Sequence, residues 1–78
     1  MGQKMPRVTG RELVKAMAKI GIVPVRQRGS HAQLRGTYRG KDVFTTIPIH
    51  NRELPTGTVL GILKDCRITR QEFITLLK

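Results

Sequence analysis

Cysteine, aromatic side chains and acids are all nearly missing from this 78-residue chain. A single cysteine, Cys66, cannot form an internal disulfide or a cysteine-rich zinc site, and its ordinary role is that of a small apolar core residue. The aromatic residues are Tyr38, Phe44 and Phe73, with no tryptophan; base recognition by serial stacking is not expected, and the two phenylalanines are assigned to the core. Of the five acids, Glu12 and Glu72 stand at cap spacing, Asp65 lies near a helix end, and Asp42 and Glu53 stand alone. No set remains to hold the metals of a two-metal nuclease, so any nuclease chemistry is expected to be metal-independent, with no cofactor. Nor is there an apolar run of membrane-spanning length, or one of the signal-peptide kind behind Lys4 and Arg7, so a cytoplasmic protein without membrane contact is expected.

Positive charge is abundant. Fifteen Lys and Arg against five acids leave +10, enough to attract a polyanion. Residues 1–41 hold ten of these cations and one acid, a net of +9, whereas residues 42–78 set five cations against four acids. A polyanion site is therefore expected in the first half. The length suits one domain over residues 1–78, with residues 1–7 as a flexible basic arm.

Thr9-Gly10-Arg11-Glu12 has capping-box spacing, with Val8 and Leu13 as its hydrophobic staple. Leu13, Ala16, Met17 and Ile20 recur at helical spacing, and Gly21 suits a left-handed cap, which predicts a helix over about 10–20. Short alternating runs then predict strands at 23–28, 31–35 and 43–47, joined by a tight Gly29-Ser30 turn and a loop over 36–40. Val59, Ile62, Leu63 and Cys66 mark a second helix over about 56–65, and the Thr69-to-Glu72 capping box starts a short third. The order is αβββα with a helical tail, an α+β fold with a three-stranded antiparallel sheet and helices on one face.

Strand alternation sorts the residues by face. Val23, Val25, Ala32 and Leu34 are assigned to the covered side, and Arg26, Arg28, His31, Gln33 and Arg35 to the open one. An imidazole among cations suits a general acid or base beside phosphate, although a strand-starting histidine with no catalytic role fits the same spacing. Ser30 suits the turn or a phosphate contact, and Lys41 is a further candidate for phosphate. His50 is either a second proton-transfer group or, with Asn51, an ordering residue for the loop before the second helix.

In order, Gly29-Ser30-His31, Ile47-Pro48-Ile49-His50, Gly57-Thr58 and Ile68-Thr69-Arg70-Gln71-Glu72-Phe73, behind a leading helix, resemble the HicA toxin family over almost the whole chain. Pro55 departs from the usual pattern, in which a charged residue more often starts the second helix. The resemblance implies a fold similar to double-stranded-RNA-binding domains and an activity as a ribosome-independent mRNA interferase. It also implies that His31 is catalytic and that a HicB antitoxin covers the active site. Two other readings fit the same sequence. One is a non-catalytic RNA-binding module of this shape. The other is a DNA-reading helix-turn-helix made from the last two helices.

Overall fold

Six elements follow one another in the computed structural model, which describes residues 5–78: α1 (Gly10–Ala18), β1 (Val23–Arg28), β2 (His31–Tyr38), β3 (Lys41–Pro48), α2 (Thr56–Cys66) and α3 (Arg70–Leu76). Helix α1 starts where its sequence requires. Thr9 Oγ1 accepts from the Glu12 N–H at 3.2 Å, and the Glu12 carboxylate accepts from the Thr9 N–H at 2.8 Å, so two otherwise unpaired donors are satisfied. It closes at Gly21, whose φ of +84° lets the Ile22 N–H return to the Met17 carbonyl. The helix proper stops at Ala18, two residues before the predicted end, because this cap replaces its last turn.

The sheet has the order β1-β2-β3, antiparallel throughout. Both hairpins are tight: Arg28 pairs with His31 across Gly29-Ser30, and Tyr38 pairs with Lys41 across Arg39-Gly40. The second turn is two residues rather than a loop over 36–40. Arg39 and Gly40 both take positive φ, and β2 and β3 each run to eight residues. Gly36 is a strand residue whose missing side chain admits a neighbouring backbone. A Cβ there would run into the Gly21 carbonyl oxygen and lie 2.8 Å from the Ile22 Cα.

Ala32, Leu34, Val43 and Ile47 point from the sheet into one apolar cluster with Leu13 and Met17 of α1, Val59, Ile62, Leu63 and Cys66 of α2, and Phe73 of α3. The helices therefore cover a single face, giving the α+β fold of double-stranded-RNA-binding domains with one added helix. Val8, the outer staple residue of α1, and Ile68, just before α3, are buried in the same cluster. Helix α2 starts at Thr56 after Pro55, with no side-chain cap. It ends at Arg67, a non-glycine in the left-handed region at φ +59°, with the Ile68 N–H bonded back to Leu63 at 2.9 Å. Buried Cys66 is pushed up to about 11, chiefly by burial and then by the charge of Asp65, so its thiol stays protonated at neutral pH.

Of the expected basic arm, residues 1–4, including Lys4, lie outside the described residues. Met5 packs against the core and Arg7 comes within 3.8 Å of Glu53.

Candidate functional site

His31 is the first residue of β2 and is exposed. Its cross-strand neighbours are Arg28 on β1 and Pro48 on β3. One pair further along, Gln33 lies between Arg26 and Thr46; the next pair sets Arg35 between Val23 and Phe44. Because directly paired residues share a face, His31, Arg26, Arg28, Gln33 and Arg35 all stand on the side opposite the helices. Ser30 is exposed in the turn beside them, and its carbonyl accepts from the Ile49 N–H.

Lys41 is separate from this group. It sits at the far hairpin, opposite Tyr38, on the register face turned toward the helices. Seven residues of strand separate its level from His31, about 23 Å. His50 is exposed in the loop after β3, and its Nδ1 accepts from the Arg52 N–H at 3.3 Å, a contact that orders the loop.

The apolar residues of β1 depart from simple alternation. A register shift between Pro24 and Arg26 makes Val25 the extra residue of a bulge. The shift changes the parity of everything before it. Val23 therefore shares the open face with Arg35, and Pro24 faces the helices. Val23 and Val25 are 42% and 56% exposed instead of covered. Phe44 is not in the core either: it is 51% exposed on the open face, with the Arg35 guanidinium 5.8 Å from its ring centre. A signal for this was present in β3, where Val43, Thr45 and Ile47 alternate with Phe44 and Thr46. Two β-branched aliphatics committed to the core turn Phe44 outward.

Intramolecular contacts sort the cations. Arg39 pairs with Glu72, Arg7 with Glu53, and Lys19 Nζ donates to the last carbonyls of the chain, Leu76 at 2.6 Å and Lys78 at 2.9 Å. Arg39 and Lys19 serve the fold, whereas the exposed Arg7–Glu53 pair adds little. Among the described residues no acid lies within ion-pair distance of Arg26, Arg28 or Arg35, so the open face keeps its charge. On the other side of the β1 edge, Arg11, Lys15, Gln27 and Pro24 line a cleft of about 270 Å³. Cations thus flank β1 on both faces. No group of three His, Cys, Asp or Glu side chains suited to a metal occurs among the described residues.

Fold and site together define a small α+β domain of the double-stranded-RNA-binding shape whose open sheet face carries unpaired arginines around an exposed histidine. Residues 10–68 match the family described as HicA toxin of bacterial toxin-antitoxin, and the chain belongs to that family. It is accordingly the toxin of a toxin–antitoxin pair, and an antitoxin partner follows from that membership. No curated protein matches the chain. No helix among the described residues is long and apolar enough to cross a membrane.

Proposed function

We propose that this toxin is a metal-independent endoribonuclease acting on mRNA in the cytoplasm, held in check by a HicB-type antitoxin. The observation that carries the reading is the pairing of exposed His31 with Arg28, next to Arg26, Gln33 and Arg35 on one face with no acid beside the arginines. His31 moves a proton at the scissile phosphodiester as general acid or base. Arg26 and Arg28 stabilise the charge that develops on the phosphoryl oxygens through charge-assisted N–H donors. Gln33 and Arg35 hold the strand further along, and Ser30 supplies a hydroxyl at the turn. Lys41, at the far hairpin and on the other register face, is not part of this group.

The test is cleavage of a single-stranded RNA by wild type and by His31→Ala, with a chelator present throughout. Wild type is expected to cut, and the variant to be slower by about 10²- to 10⁴-fold, the usual contribution of a positioned acid or base. Equal cleavage by both would remove His31 from the chemistry. Binding without cleavage by either would make the protein an RNA-holding module of the same shape.

A further inference from the structure

The open face holds an aromatic ring that the proton-transfer chemistry does not use. Phe44 is half exposed in the middle of β3, directly opposite Arg35, whose guanidinium lies over its ring. Val23 flanks Arg35 from the other side and is also exposed. Phe44 leaves half of its apolar area in water and is ringed by polar residues: Gln33 and Thr46 toward His31, Thr37 and Asp42 away from it. Flat apolar area, a stacked guanidinium and neighbouring free cations are what an unpaired nucleobase with its phosphate requires.

We infer that Phe44 and Arg35 form a stacking subsite for one unpaired base of the RNA strand whose phosphodiester lies at His31. The inference rests on the proposed action on RNA and deepens it. Arg35 is four residues from His31 along β2, about 13 Å. The stacked base is therefore not at the cleaved bond but displaced from it along the RNA strand by about that distance. The platform fixes the register of the strand, so that stacking at Phe44 decides which phosphate reaches His31. Charge favours RNA over a protein occupant here, because Arg26, Arg28 and Arg35 share the face without acid partners, whereas its one acid, Asp42, lies on the side of Phe44 away from His31 and accepts from Thr37.

The experiment measures binding of a short fluorescent single-stranded RNA, and of inorganic polyphosphate as a base-free polyanion, to His31→Ala protein, with and without Phe44→Ala, Phe44→Leu or Phe44→Trp. Phe44→Ala and Phe44→Leu are expected to weaken RNA binding by about 5- to 100-fold, to leave polyphosphate binding unchanged, and to keep the salt slope. Phe44→Trp should retain or tighten RNA binding. Removing a single base from the RNA, position by position, should reproduce the loss at one position only, with no further loss in Phe44→Ala. Unchanged RNA affinity in Phe44→Ala would overturn the subsite while leaving the RNA reading intact. So would weakening of antitoxin binding alone, which would make Phe44 a protein contact. Failure of the parent protein to bind RNA at all would overturn both. Thermal unfolding of each variant separates these outcomes from loss of fold, and half-exposed Phe44 is not expected to alter it.

Discussion

Glu72 joins three parts of the molecule through one carboxylate. It closes the α3 capping box with the Thr69 N–H at 2.9 Å, accepts from the Tyr38 hydroxyl, and pairs with Arg39 at the tip of the β2–β3 hairpin. The Thr69 backbone N–H, and then the Tyr38 hydroxyl, hold it below the usual carboxylate value of 4.5, although its burial works the other way. A depressed folded value means that the stabilisation is fully present above the unfolded value and is lost as pH falls through the folded one. Wild type should therefore lose stability on acidification below about pH 4.5 more than Glu72→Gln, whose amide cannot titrate, in urea unfolding run as a pH series. At neutral pH Glu72→Ala should cost about 1–3 kcal/mol, through the lost cap and the unpaired Tyr38 hydroxyl. The cap was legible from Thr69 and Glu72 three residues apart. The long-range contacts to Tyr38 and Arg39 were not, since nothing local marks a partner more than thirty residues away.

Among the elements, the strands diverge from their sequence reading more than the helices do. Gly36 reads as loop punctuation, yet it is the point where β2 passes against the backbone at Gly21 and Ile22. Gly36→Ala would force its Cβ into the Gly21 carbonyl and displace the α1–β1 connection. A loss of about 2–3 kcal/mol in urea unfolding is expected, at the upper end for overpacking because the obstacle is backbone and cannot rotate away. Gly57→Ala, where no atom lies near the added Cβ, is the control and should be neutral or slightly stabilising. The helices, by contrast, were legible to within two residues, because capping boxes and 3.6-residue periodicity are encoded locally. The β1 bulge was hidden because a single inserted residue leaves no compositional mark, while it reverses the face of every residue before it.

Over the whole molecule, +10 of formal charge is divided between cations that hold the fold and cations left free. Lys19 belongs to the first kind, bound to the carbonyls that end α3, where a cation also opposes the negative end of the helix dipole. Arg26 and Arg28 belong to the second. Reversing Arg26 and Arg28 to Glu should weaken RNA binding by more than tenfold and flatten its salt dependence, as read by affinities over a salt series. Lys19→Gln should leave the salt slope nearly unchanged and instead lower the unfolding midpoint. Were Arg67 and Arg70 reversals the only ones to flatten the slope, the binding surface would lie on α2 and α3. That outcome is not expected, because residues 42–78, which hold both helices, set five cations against four acids.

The sequence by itself determined the element order, the helix starts, the apolar residues of the helices, the surplus of cations in the first half, and the place of His31 beside Arg26 and Arg28 on one sheet face. Each follows from short-range spacing, which the chain states directly. Only the tertiary structure decided which cations remain free, that Lys41 stands far from His31, and that Phe44 faces outward opposite Arg35. Those depend on strand register, on one bulge and on pairings between distant residues, which take shape only when the sheet closes against its helices.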